Sequence, residues 1–68
     1  MITIETPKSS NIKRIAYEEP ILFVTFLSGG TYKYENVPVK TWELFKDAES
    51  KGKFFHADIK KNFVGVKL

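Results

Sequence analysis

The residue types that catalysis requires are scarce in this sequence. His56 is the single histidine, and the chain has no cysteine. A nucleophile needs a neighbouring base and a group that orients that base, but Asp58 would point to a different helix face from His56. No His, Asp or Glu cluster has the spacing of metal ligands. We therefore expect no catalytic residue, no metal and no cofactor, and predict that the chain is not an enzyme. A deep cleft around His56 would favour the opposite interpretation.

Basic residues are concentrated at the C-terminal end. Residues 51–68 carry five lysines and one acid, a net charge of +4, whereas residues 1–50 carry six bases and seven acids. Such asymmetry favours an anionic partner, although a solvated lysine face produces the same pattern. Lysines would meet phosphates, and an aromatic ring or the imidazole would stack on bases. The candidate nucleic-acid-binding residues are Lys51, Lys53, Phe54, His56, Lys60 and Lys61.

The elements that must position these residues are strands followed by helices. Residues 2–5, 12–17, 21–27 and 31–36 have the β-branched, aromatic and alternating composition of strands. Pro7 would end the first strand, residues 9–11 read as a loop, and residues 28–30, with two glycines, predict a hairpin loop. Helical spacing of Val39, Trp42, Phe45 and Ala48, joined by Leu44, predicts a helix over residues 39–49. A second, short helix is predicted over 53–61, and residues 63–68 are a tail or a final strand.

The hairpin register decides the role of the tyrosines. A loop of residues 28–30 pairs Val24 with Tyr34 and Thr25 with Lys33. One sheet face then carries the apolar residues Leu22, Val24, Phe26, Tyr32 and Tyr34. A two-residue loop would instead bury charge. We therefore predict that Tyr32 and Tyr34 lie in the core, beneath two helices that cover this face.

The opposite face of the sheet would carry Phe23 and Leu27. Exposed apolar neighbours can mark a protein interface or a dimer contact. Alternatively, the terminal segments fold over them, and residues 2–4 and 64–68 supply enough apolar side chains to do so.

Length and composition set the class. With 68 residues, of which 43% are hydrophobic and 15% aromatic, the chain forms a single domain with a packed core. The longest apolar run is too short to cross a membrane, and the N-terminus lacks the layout of a signal peptide. We expect a cytoplasmic α+β domain: a three- or four-stranded antiparallel meander with two C-terminal helices packed on one face.

The order of these features resembles the KTSC domain family. The resemblance begins near Ser9 and includes Tyr17, the Ser28-Gly29-Gly30 loop, the motif Tyr32-Lys33-Tyr34 and the segment from residue 50 to 55. It covers roughly residues 9–68. Phe54 and His56 replace a tyrosine and an asparagine of the usual pattern. The family occurs in bacterial and phage-type proteins and at the C-terminus of some lysyl-tRNA synthetases. Its function is unsettled, and RNA binding has been proposed for it.

Two functions follow as expectations. In the first, the domain binds RNA or another nucleic acid weakly through its C-terminal lysines, with a salt slope near −3 if about four phosphates are neutralised. In the second, it is a protein interaction module that uses the exposed sheet face. Neither expectation involves a membrane.

Overall fold

Five antiparallel strands form one sheet in the computed structural model, which describes residues 2–6 and 11–68. The strands lie in chain order, with each one beside the next. They are β1 (Ile2–Glu5), β2 (Ile12–Glu18), β3 (Ile21–Phe26), β4 (Thr31–Tyr34) and β5 (Gly65–Lys67). The predicted α+β class is confirmed. The strand count exceeds the prediction because the C-terminal segment joins the edge of the sheet beside β4. The predicted stop at Pro7 and the loop at residues 9–10 fall outside the described residues.

The helices follow β4. Helix α1 spans Val39–Asp47, directly after Pro38. A second helical run then continues without a break through α2 (Lys51–Phe54), a π-helical segment (Phe55–Ile59) and α3 (Lys60–Asn62). This run begins two residues earlier than predicted because Ser50 caps it: its Oγ accepts the backbone N–H of Lys53 at 3.3 Å.

The predicted pairing of β3 with β4 is wrong, although the predicted faces are correct. Val24 lies opposite Tyr32 rather than Tyr34, and Thr25 lies opposite Thr31 rather than Lys33. The loop closes one residue earlier on each strand, where the Phe26 N–H donates to the Gly30 carbonyl at 3.0 Å. The register therefore shifts by two residues in total, and an even shift leaves every side chain on its predicted face.

A bulge near the start of β2 changes the direction of one side chain. Ile12 pairs with Phe26 and Arg14 with Thr25, so Lys13 is the extra residue on β2. Simple alternation along residues 12–17 predicts Lys13 on the same face as Ile15. The bulge instead turns Lys13 outward, and Ile12 becomes fully buried.

The core lies between the inner face of the sheet and the helices. Trp42 and Phe45 of α1 are buried there, as predicted, whereas Leu44 and Val39 of the proposed apolar stripe are 52% and 41% exposed. The ring stacked on Trp42 is that of Tyr17, at 5.1 Å between centroids, whereas the Tyr34 ring contacts the π-helical segment. The buried side chains of this core are those of Ile12, Ile15, Tyr17, Leu22, Val24, Tyr34, Val37, Trp42, Phe45, Phe55 and Ile59.

Candidate nucleic-acid interface

An open groove of about 530 Å³ runs between the second helical run and the β4–β5 edge of the sheet. Its lining mixes aromatic rings with basic and neutral polar groups. The residues that line it are Asn11, Phe26, Ser28, Gly29, Tyr32, Tyr34, Phe55, His56, Lys60 and Lys67. They come from six separate parts of the chain, so the groove exists only in the folded domain.

The sheet side of the groove depends on β5. Lys67 pairs with Tyr32 across the β4–β5 ladder, so the two side chains lie next to each other on the inner face. Gly65 makes this pairing feasible, because a Cβ there would lie 2.7 Å from the Tyr34 ring. The close approach of β5 to the Tyr34 ring thus places Lys67 at the groove.

The helical side of the groove is the π-helical segment and the turn after it. Phe55 and Ile59 point into the core, while His56 and Lys60 lie on the exposed side and line the groove. The Lys60 N–H donates to the Phe55 carbonyl in the wider i+5 pattern. Such turns occur frequently at functional sites. The imidazole of His56 meets the edge of the Phe55 ring at 5.5 Å between centroids.

The floor of the groove is aromatic. Phe55 meets Phe26 and Tyr34 edge-to-face at 5.2 and 5.7 Å between centroids, and Phe26 meets Tyr32 in the same way at 5.6 Å. Tyr34 is 5% exposed and belongs to the core, as predicted, whereas Tyr32 is half-buried at the core edge. Burial raises the pKa of the Tyr34 hydroxyl, and the neighbouring Tyr32 adds to this effect.

The electrostatics of the groove favour an anion. Among its lining residues there are two lysines and no carboxylate. In the described part of the chain, Lys60 and Lys67 form no ion pair. The ion pairs of that part lie elsewhere, at Arg14–Glu5, Lys33–Glu35 and Lys46–Glu43. Among the described residues, neither lysine of the groove is therefore held by a carboxylate at ion-pair distance.

The structure brings together only part of the predicted set. His56 and Lys60 line the groove, whereas Lys53 and Lys61 are exposed and lie outside its lining. The ammonium group of Lys51 donates to the Ala48 carbonyl at 2.6 Å, so it caps the end of α1.

Phe54, which was predicted to stack on bases, is half-buried against the core. Its ring stacks on Phe45 at 5.4 Å between centroids and 15° between ring planes. One ring face is therefore already occupied within the domain.

Six of the ten lining residues were not among the predicted site residues, and three of the six carry polar side chains. Lys67 reaches the site only because β5 pairs with β4, and Asn11 and Ser28 come from loops that the fold brings to the same place. The sequence predicted a tail or a final strand over residues 63–68, but it did not indicate that Lys67 lies beside Tyr32.

The outer face of the sheet carries Phe23 and Leu27, the predicted protein interface. Phe23 is half-buried between Ala16 and Lys33, its neighbours across the ladders, and Leu27 is 58% exposed in the loop. Neither terminal segment folds over Phe23 in the described structure, because β1 and β5 extend the sheet at its two edges. The alternative that these segments cover the face is therefore wrong for residues 2–6 and 63–68.

Within the described ranges, no three His, Asp or Glu side chains lie together in a way that could hold a metal ion. None of the helices described here has the length and apolar composition needed to cross a membrane.

Comparison with known proteins places the fold and the sequence in one family. The model of the KTSC domain matches residues 8–63. The crystal structure of a KTSC domain protein from Yersinia pestis superposes with a TM-score of 0.87 at 36% identity, covering 98% of this chain and 99% of that one. A protein of Tsukamurella paurometabola is 36% identical over 63 residues, which is 90% of this chain and 94% of the relative.

A second kind of relative is a much larger protein. The lysine–tRNA ligase of Trichormus variabilis is 41% identical over 59 residues, covering 84% of this chain, and the ligase of Nostoc sp. matches to the same extent. The chain spans about 10% of the length of these ligases. The family model, the structural match and the small relative agree in covering nearly the whole chain. This chain belongs to the KTSC domain family.

Proposed function

We propose that this domain is a non-catalytic module that binds single-stranded nucleic acid, RNA in particular, through the groove and the lysines around it. The observation that carries the proposal is the lining of the groove. It combines Lys60 and Lys67 with the half-buried ring of Tyr32 and the exposed imidazole of His56, and it contains no carboxylate. Cations for phosphates and rings for bases are the two components of single-strand recognition without sequence readout.

The relatives give independent support for RNA over DNA. Two of them are lysine–tRNA ligases, and the segment they share with this chain covers 84% of it. A domain that binds RNA would act in the cytoplasm, so the proposal includes this location. The lack of cysteine is compatible with it, because the cytoplasm is a reducing compartment in which disulfides are rare. We propose that the domain acts by binding and catalyses no reaction of its own.

Protein docking on the outer face is less well supported. Phe23 and Leu27 do not form one apolar patch, because Thr25 lies between them on the same face. Its hydroxyl is hydrogen-bonded to that of Thr31 at 2.8 Å, across the ladder. This polar pair separates the two apolar side chains, so the face lacks the contiguous apolar area that marks an interface.

The test is NMR titration of the ¹⁵N-labelled domain with short single-stranded RNA, tRNA and DNA. We expect shifts concentrated at residues 53–67 and at Tyr32, with dissociation constants of about 10⁻⁴–10⁻⁶ M, the range of largely electrostatic binding. Shifts confined to Phe23 and its neighbours, or no shifts at all, would contradict the proposal.

The salt dependence gives a quantitative check. If about four phosphates are neutralised, the log of the affinity should fall with the log of the salt concentration at a slope near −3. Replacing Lys53, Lys60 and Lys61 together with glutamine should remove most of this slope without unfolding the domain.

A matched control replaces three lysines elsewhere, Lys13, Lys33 and Lys40, with glutamine. It makes the same change in net charge on other surfaces and should retain most of the slope. Equal effects of the two triple variants would show that net charge alone, and not this surface, governs the affinity.

A further inference from the structure

The size of the groove limits what part of a nucleic acid it can enclose. Its volume of about 530 Å³ lies within the range of roughly 300–1,000 Å³ that is typical of small-molecule sites. Channels that follow a strand contact several nucleotides, about 4–16 in a typical single-strand-binding domain. This groove instead has the dimensions of a site for one nucleotide unit.

The charges of the groove exceed what one internal phosphate needs. Lys60 comes from α3 and Lys67 from β5, and no carboxylate of the lining offsets either of them. An internal phosphodiester carries a single negative charge, whereas a phosphate monoester carries about −1.5 to −2 at pH 7. Two uncompensated cations from separate elements match the monoester better than the diester.

The neutral groups of the groove suit the rest of a nucleotide. Tyr32 lies beside Lys67, and His56 lies one helical turn from Lys60, so each lysine has a flat ring close to it. Flat rings provide stacking surface for a base, and stacking tolerates any base. Ser28, at the loop end of the groove, adds a hydroxyl that can bond a sugar or a phosphate oxygen.

We propose that the groove binds the terminal nucleotide of a single strand, with its terminal phosphate monoester between Lys60 and Lys67 and its base against Tyr32 or His56. This inference rests on the proposed function and narrows it, because it makes the phosphorylated end of the strand the recognised feature. Internal nucleotides would contribute only through the surrounding lysines.

The test uses NMR to measure the affinity of the domain for four RNA tetranucleotides of one sequence. One carries a 5′-phosphate, one a 3′-phosphate, one both phosphates and one neither. We expect one singly phosphorylated strand to bind about tenfold more tightly than the strand without phosphate, as an added charge-assisted contact would give. The strand with both phosphates should match the better single one. The position of the favoured phosphate identifies which end the groove accepts.

Two variants and one control test which lysines cause the preference for the phosphorylated strand. Lys60→Gln and Lys67→Gln should each remove most of the preference for the phosphorylated strand. Lys53→Gln, an exposed lysine outside the groove lining, should keep it. All three positions are exposed, and unchanged thermal melting of the variants will show that the fold is intact.

Several results would overturn the inference. Equal binding of phosphorylated and unphosphorylated strands, or loss of the preference in Lys53→Gln alone, would refute it and leave the proposed function standing. Displacement of the strand by inorganic phosphate at a similar concentration would show a phosphate site without nucleotide recognition, which also refutes it. If no RNA binds, the proposed function fails as well.

Discussion

Trp42 offers the most direct test of how the helices pack on the sheet. Its side chain is 2% exposed and its ring lies parallel to that of Tyr17, with 5.1 Å between centroids and 8° between ring planes. Tyr17 is itself fixed, because its hydroxyl donates to the Val37 carbonyl at 2.6 Å. Replacing Trp42 with alanine would leave a large cavity beside this anchored ring, and collapse around it would be limited.

The expected cost of Trp42→Ala is about 3–5 kcal/mol, the usual range for truncating a buried aromatic side chain. A single core in a domain this small rarely supplies more than about 3–5 kcal/mol of stability. The variant should therefore lose most or all of its free energy of unfolding and be largely unfolded at room temperature. Since about 1 kcal/mol shifts the melting temperature of a domain this size by roughly 4–8 °C, the shift should exceed about 12 °C.

The assay is urea and thermal unfolding followed by far-UV circular dichroism, which does not depend on the tryptophan. Trp42 is the chain's single tryptophan, so its fluorescence gives a second probe of the wild type. The matched control is Leu44→Ala in the same helix, where the side chain is 52% exposed and removal should cost little. Melting of Trp42→Ala close to that of Leu44→Ala would refute the packing described here.

Three further predictions concern the tyrosines and the last strand. Gly65→Ala should destabilise the domain by about 1–3 kcal/mol, because the new methyl group would lie 2.7 Å from the Tyr34 ring; thermal melting measures this, and an unchanged melting temperature would contradict the close approach. Tyr17→Phe should cost about 1–3 kcal/mol by leaving the buried Val37 carbonyl without its donor, and urea unfolding that matches the wild type would exclude this role. Burial raises the pKa of Tyr17 and Tyr34 above the ordinary value of 10.0, so above pH 10 the unfolded chain loses phenolic protons that the folded chain keeps. Stability should therefore be complete below pH 10 and fall as the pH rises further, with a smaller fall in Tyr34→Phe when urea midpoints at pH 9 and pH 11 are compared.

The sequence by itself determined the faces of the sheet and the first helix. Alternation of apolar and polar residues along β3 and β4 placed Val24, Tyr32 and Tyr34 on the inner face, and this holds in the structure. The spacing of Trp42 and Phe45 identified the buried side of α1. Burial of apolar side chains determines both the inner face of the sheet and the buried side of α1. It produces a regular spacing of apolar residues, every second residue in a strand and every third or fourth in a helix, which is visible in the sequence.

Tertiary structure decided the pairing partners, because the sequence pattern allows registers that differ by two residues. Both registers bury the same side chains, so hydrophobic burial cannot choose between them. The conformation of the loop selects the observed register. Gly30 adopts a φ of +71°, which favours glycine, and its carbonyl accepts the Phe26 N–H that closes the hairpin. The bulge that turned Lys13 outward was also decided by the tertiary structure, because an extra residue breaks the alternation from which the faces were predicted.

The residues of the candidate site depend on the tertiary structure even more than the strand register does. The charge of residues 51–68 marked the basic end of the chain, but it did not separate Lys60, which lines the groove, from Lys53 and Lys61, which do not. Lys67 joins the site only through the pairing of β5 with β4, a three-residue strand whose close approach to the Tyr34 ring requires a glycine at position 65. Contacts between residues distant in the chain leave no local period in the sequence, so the basic end was readable from it and the groove was not.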